Sequence, residues 1–276
     1  MNIRLYHLLP RRFLSRMMFH LSRIKTRWLK NLIIRCYMRI TGAKTDFAAE
    51  KDPLQYESLN AFFTRALAEG ARPIDGRADV LVSPVDGRCA EYTNHITENT
   101  LLQAKNIIYS ISDLLGSEEW AKRFEGGHAT TLYLAPDDYH RIHMPCDGKL
   151  TAMRFCRGDK HSVSLALLNQ IPQIFAGNER VVCWFETEFG EMAMVLVGAL
   201  NVSSMSTVWH GDVLDNGQDN LYHYNNQSYR KGQEIARFNL GSTVILLTQK
   251  QAPHFQSALM ESGDKVYLGQ AITVAD

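Results

Sequence analysis

Phe238-Asn239-Leu240-Gly241-Ser242-Thr243-Val244-Ile245-Leu246-Leu247 sets a Gly-Ser step directly before a β-branched, wholly apolar run. The run reads as a strand entered from a turn, so the chain has a β core. The step itself has two readings. Gly-Ser before a strand is ordinary turn chemistry. It is also a bond that can break, because glycine leaves its own carbonyl unhindered and the next hydroxyl lies within reach of it. Local sequence favours the plain turn.

Outward from this strand, further strands are expected at 130–135, 149–155, 181–187, 191–199, 243–248 and 265–274, with a hairpin turn at 188–190. Val80-Leu81-Val82-Ser83-Pro84-Val85-Asp86-Gly87-Arg88 reads as a strand broken by turn residues. Helical pieces are expected at 58–68, 111–115, 118–124 and 164–169. The fold class is α+β, a mostly antiparallel β core preceded by amphipathic helices. Two echoes point to duplicated hairpin modules. Pro84-Val85-Asp86-Gly87-Arg88 matches Pro145-Cys146-Asp147-Gly148-Lys149, and Lys231-Gly232-Gln233-Glu234-Ile235-Ala236 matches Leu268-Gly269-Gln270-Ala271-Ile272-Thr273. Asp-Gly and Gly-Gln turns are also common, and that alternative stays open.

The charge is +1 overall, but residues 1–45 hold 11 of the 30 Lys and Arg and no Asp or Glu. Beyond them the balance is 19 minus 29, or −10. After Pro10 the apolar residues Leu14, Met17, Met18, Leu21, Trp28, Leu32, Cys36 and Ile40 recur at steps of three and four, with cations on the other face. Such an arm suits an anionic membrane surface, or packs on the protein's own core. Nucleic acid is disfavoured by the acidic remainder. The longest apolar stretch, 192–200, is too short to cross a bilayer, so membrane contact would be peripheral. No signal peptide is apparent, because Arg11, Arg12 and Arg16 interrupt the apolar residues. Residues 1–56 are expected to form a basic helical arm and linker suited to membrane binding, and residues 57–276 a β-rich domain expected to carry any catalysis. Five scattered cysteines without Cys-x-x-Cys spacing read as reduced thiols.

Asp137-Asp138-Tyr139-His140-Arg141-Ile142-His143-Met144-Pro145 places two histidines three apart at a polar junction. A metal would need more ligands, from His128, His161, His210 or the two aspartates, and no zinc-enzyme spacing is present. A Ser-His-Asp set is the other option, with Asp86 the candidate carboxylate. Spacing alone cannot bring Asp86, His143 and Ser242 together.

Ser58-x-Asn60-x-Phe62-Phe63-x-Arg65, Arg72-Pro73-Ile74, Ser83-Pro84-x-Asp86-Gly87, Leu102-x-Ala104-Lys105, the Asp138–Pro145 segment, Asn178-Glu179-Arg180-Val181, Val197-Gly198-Ala199 and Leu240-Gly241-Ser242-Thr243 occur together in this order. The combination resembles the bacterial membrane-bound phosphatidylserine decarboxylases, from about Tyr6 to the C-terminus. Ser203-Ser204 departs from the pattern, since a glycine is expected at the first position. The resemblance implies that Ser242 attacks the Gly241 carbonyl with His143 as general base and Asp86 orienting the imidazole. Self-cleavage would then give chains 1–241 and 242–276, the second blocked by a pyruvoyl group made from Ser242. That covalent group would form a Schiff base with phosphatidylserine and release phosphatidylethanolamine, with no metal and no pyridoxal phosphate. His140 would serve as acid or carboxylate-positioning residue, or only shape its turn. The expected location is the cytoplasmic face of the inner membrane, and a homodimer is allowed without being required. A membrane-surface Ser-His-Asp hydrolase that stays uncut is the enzymatic alternative, though it lacks a Gly-x-Ser-x-Gly elbow. A membrane-binding module without catalysis is the other.

Overall fold

A computed structural model describes residues 6, 9–104, 107–163, 165–200, 204–240 and 242–274, without the side chains of 165, 166 and 242. The larger sheet has eight strands in the order β11 (Asn220–Tyr229), β6 (Gly148–Cys156), β7 (Arg180–Thr187), β8 (Gly190–Val197), β13 (Ser242–Thr248), β4 (His128–Leu134), β1 (Gly87–Thr93) and β14 (Lys265–Val266). A second sheet runs β10 (Gly211–Val213), β9 (Ser204–Thr207), β12 (Glu234–Asn239), β5 (Arg141–His143), and β2 (Thr100–Ala104) pairs with β3 (Ile107–Ser110). All pairings between these strands are antiparallel.

The wholly apolar run of β13 has a direct cause. The strand is central, and alternate side chains enter two different cores. Ile245 and Leu247 pack with Val195, Val197 and Trp184 on one face, whereas Val244 and Leu246 pack with Met194, Leu196 and Phe185 on the other. Both faces are covered, so no alternation with polar residues is needed. Edge strand β11, Asn-Leu-Tyr-His-Tyr-Asn-Asn-Gln-Ser-Tyr, is largely exposed or half-buried and escaped the sequence reading because its composition is polar. The strand expected at 265–274 stops at Val266. Gly269 turns the chain at φ 82°, after which only isolated bridges to Val82 and Phe255 continue.

The two sequence echoes make matching hydrogen bonds. Ser83 N–H donates to Gln270 O at 2.8 Å and its carbonyl accepts from Gly269 N–H; Met144 does the same with Gln233 and Gly232. Asp86 Oδ1 accepts from Leu268 N–H at 2.9 Å, and Asp147 Oδ1 from Lys231 N–H at 2.7 Å. The two segments also bind each other, through Val82 N–H to Pro145 O and His143 N–H to Pro84 O. Gly232 and Gly269 both have positive φ, and a Cβ at either would strike Ile74.

The arm forms helices α1 (Arg11–Ser22) and α2 (Arg27–Thr41), followed by a short α3 (Leu59–Phe63) capped by Ser58 Oγ on Ala61 N–H. Arg11 clamps α1 to Asp159 with contacts of 2.6 and 3.1 Å, while Ile34 of α2 packs with Leu59 and Phe62. Phe13 and Met17, and then Trp28, Leu32 and Ile40, remain exposed on the outside; Leu21 is half-buried. Among the described residues, no helix is long and apolar enough to cross a membrane.

Candidate active site

The chain leaves the smaller sheet at Asn239 and enters the larger one at Ser242, whose backbone pairs with Leu134 of β4. Gly241 lies outside the described residues. Leu240 adopts φ 88°, a left-handed value that costs a non-glycine residue about 1 to 3 kcal/mol. Its neighbour is held firmly. Asn239 is buried, its Nδ2 donates to Ser204 and Ser206 at 2.8 Å each, and its Oδ1 accepts from Asn60 Nδ2 at 3.1 Å. Strain therefore sits next to a rigid anchor.

The loop after Leu134 carries the histidines. Ala135 N–H donates to Asp138 Oδ2 at 2.9 Å, closing a turn that delivers His140 beside the end of β12. His140 is fully buried, stacks on Phe63 at 3.9 Å between centroids, and fixes its backbone by accepting Phe238 N–H. Among the described residues neither ring nitrogen has a partner in full hydrogen-bond geometry, although the carbonyls of Ala135 and Pro136 lie close enough to favour the protonated ring. Burial, with the Arg65 charge adding to it, lowers its pKa to about 3, so the ring is neutral at pH 7.

His143 has both nitrogens engaged. Nδ1 is 2.8 Å from Gly232 O, and a carbonyl only accepts, so Nδ1 carries the proton. Nε2 is then the basic nitrogen, accepting from the Tyr139 hydroxyl at 2.9 Å. Burial is the main cause that lowers the His143 pKa, partly opposed by the Gly232 bond and the charges of Glu234 and Asp86.

Asp86 is buried close by, two residues after the Pro84 carbonyl that binds His143 N–H. Its carboxylate faces Arg72, with contacts of 2.6 Å to Nη2 and 2.9 and 3.1 Å to Nε, and also accepts Leu268 N–H. Arg72 is itself flanked by the rings of Phe47 and Tyr267 at 4.6 and 5.0 Å. Among the described residues, Asp86 and His143 share no hydrogen bond. The structure thus brings their backbones together and gives each side chain another partner. Arg72, Tyr139, Asn60 and Gly232 received no role from the sequence, although the first three stand inside the motifs quoted above. The further candidate ligands are dispersed: His128 bonds Asn94 O, His161 pairs with Asp159, and His210 meets Tyr224. No three His, Cys, Asp or Glu side chains converge among the described residues.

A family model described as phosphatidylserine decarboxylase matches residues 59–274, and one described as PSD matches residues 1–42. The chain is 46% identical over 272 residues to the phosphatidylserine decarboxylase proenzyme of Nitrosococcus oceani, covering 96% of this chain and 88% of the relative. Proteins of the same name from Shewanella baltica and Vibrio parahaemolyticus are 42% and 39% identical, covering 98% and 97% of this chain and 95% and 96% of theirs.

Proposed function

The chain belongs to the phosphatidylserine decarboxylase family, and from that premise we propose that it is a proenzyme that cuts itself at Gly241–Ser242 and then decarboxylates phosphatidylserine to phosphatidylethanolamine. The observation that carries the cleavage reading is the left-handed Leu240, strained next to the anchored Asn239 and two residues before β13 begins. Backbone strain of this kind collects at functional sites, and here it sits one residue before the bond proposed to break. The Ser242 hydroxyl attacks the Gly241 carbonyl, its proton passes to His143 Nε2, and the amide nitrogen departs with a proton. An ester replaces the peptide bond. β-Elimination frees the Gly241 carboxylate and leaves dehydroalanine at 242; water then displaces ammonia to give the pyruvoyl group.

Three residues support His143 in this role. The Gly232 carbonyl fixes the tautomer that leaves Nε2 basic, and the nearby Asp86 charge favours the imidazolium once it forms. Arg72 holds Asp86 in place. The Tyr139 hydroxyl must release Nε2 before it takes the Ser242 proton. The pyruvoyl carbonyl supplies an electron sink when carbon dioxide leaves. His140 suits the second reaction, because its buried neutral ring offers an N–H to a carboxylate in an apolar pocket shared with Phe63. An adjacent carboxylate would raise its proton affinity and let it serve as the later acid.

The exposed positions Phe13 and Met17 of α1, and Trp28, Leu32 and Ile40 of α2, recur every four or eight residues and suit shallow insertion at the cytoplasmic face of the membrane. The matched bonds of the Asp86 and Asp147 turns favour a duplicated hairpin module within the β core. The 1–56 arm and the 57–276 domain then divide membrane contact from catalysis.

Intact-mass measurement together with a decarboxylation assay tests the reading. Wild type should give 1–241 and a pyruvoyl-blocked 242–276, and should form phosphatidylethanolamine; Ser242→Ala should remain one inactive chain. An uncut wild type that decarboxylates, or a cut Ser242→Ala, would sink it.

A further inference from the structure

We propose that the cationic cavity between the arm and the β core binds a phosphate ester. The cavity holds about 570 Å³. Its wall carries Arg23 and Lys25 from the turn between α1 and α2, Arg65 just after α3, and Arg141 and Arg237 from facing strands.

Its charges are poorly balanced. Arg141 and Arg237 stand directly opposite each other in the β5–β12 register, an arrangement that like charges disfavour. Glu234 bridges them, at 2.8 and 2.7 Å. Arg65 is buried, and among the described residues it forms no ion pair with a carboxylate; its Nη2 donates to the carbonyls of Asp137 and Asp138, and its Nη1 makes no hydrogen bond there. Arg23 is 3.9 Å from its acidic partner Asp212. Burial lowers the pKa of both Arg23 and Arg65, so each guanidinium carries its charge in a partly desolvated wall. Two acids, Glu50 and Glu57, also line the cavity, and Glu57 is occupied by Lys25 at 2.9 Å.

The position gives this charge a use. Arg65 follows the Phe63 ring stacked on His140, Arg141 is the residue after His140, and Asn60 on the wall holds Asn239 two residues before Gly241. The other side of the cavity is the helix turn of the arm. A tetrahedral phosphate offers several acceptor oxygens at different angles, which suits converging guanidinium forks better than a single planar carboxylate does. As a lipid headgroup subsite, a use that rests on the function proposed above, the cavity would hold the phosphodiester while the serine reaches the site by His140.

Calorimetric titration with sn-glycerol 3-phosphate tests the cavity, since this probe has the phosphate ester but no amine to react. Inorganic phosphate is titrated in parallel. Wild type should bind, and Arg237→Gln and Arg23→Gln should each weaken binding about tenfold, with Arg237→Lys in between. In the decarboxylase assay with short-chain phosphatidylserine, a tenfold rise in KM with little change in kcat identifies the lipid headgroup as the ligand. An unchanged KM beside lost phosphate binding identifies free phosphate instead. No binding by wild type, or unchanged affinity in both glutamine variants, overturns the proposal. Titration needs neither cleavage nor turnover, so an inactive wild type that still binds phosphate would refute the function and leave the cavity standing.

Discussion

The turns at Asp86 and Asp147 share a sequence, a backbone bond and a glycine-turned partner, yet their carboxylates live differently. Asp147 is exposed and, among the described residues, accepts only Lys231 N–H. Asp86 is buried, accepts Leu268 N–H in the same way, and in addition takes three contacts from an arginine sandwiched by two rings. The turn itself needs only what Asp147 provides. Burying a charged pair is seldom the cheapest way to stabilise a fold, so the extra apparatus at Asp86 calls for another reason, and the proposed role beside His143 would supply one.

The largest expected difference between the turns is in self-cleavage. Asp86→Asn should slow the appearance of the small chain roughly a hundredfold or more, and Asp147→Asn less than about threefold, followed by electrophoresis of freshly made protein. Equal effects would break the comparison.

Arg72→Gln should reduce the contrast from the other side, because it strips the Asp86 carboxylate of its cation while leaving it buried. Stability should fall by about 3 to 5 kcal/mol in urea unfolding, and pairing it with Asp86→Asn should recover part of the loss. Strict additivity of the two would show that the pair acts as separate groups.

Acid sharpens the picture further. The pKa values of His140 and His143 are depressed by burial, so the unfolded chain binds protons that the folded chain refuses. Their contribution is present above about pH 6.5 and is lost as pH falls, at up to about 1.4 kcal/mol per unit for His140 in the window down to its folded value. His140→Phe should flatten that slope in pH-dependent melting, and an unchanged slope would assign it to other groups. The smallest effect belongs to Asp147→Asn, about 1 kcal/mol or less on stability, since an exposed turn can replace its bond with water.

Much of the fold was legible because burial leaves a mark on composition. The strands at 181–187, 191–199 and 243–248 were readable from runs of Val, Ile, Leu and Met, which β7, β8 and β13 need because the sheet is covered on both faces. Strand β11 was not, since an edge strand facing solvent has no such run. The strand at 265–274 was overextended because its residues suit a strand and the turn at Gly269 is imposed by contacts from Asp86 and Ser83. Within the site, Ser242, His143, His140 and Asp86 were named from motifs, but Arg72 as the partner of Asp86 and Gly232 as the partner of His143 were not. Arg72 lies 14 residues from Asp86 and Gly232 lies 89 from His143, separations that no local pattern encodes.

By itself the sequence determined the β core, the basic helical arm and the residue types able to cut a Gly-Ser bond, because periodicity, charge and side-chain chemistry are properties of the chain alone. Tertiary structure decided the rest. It set Leu240 in a strained conformation, gave His143 its tautomer through Gly232, bound Asp86 to Arg72, and excluded water from His140. Each of these depends on groups distant in the chain meeting in a buried place, where the loss of solvent makes the choice of hydrogen-bond partner decide both proton affinity and geometry.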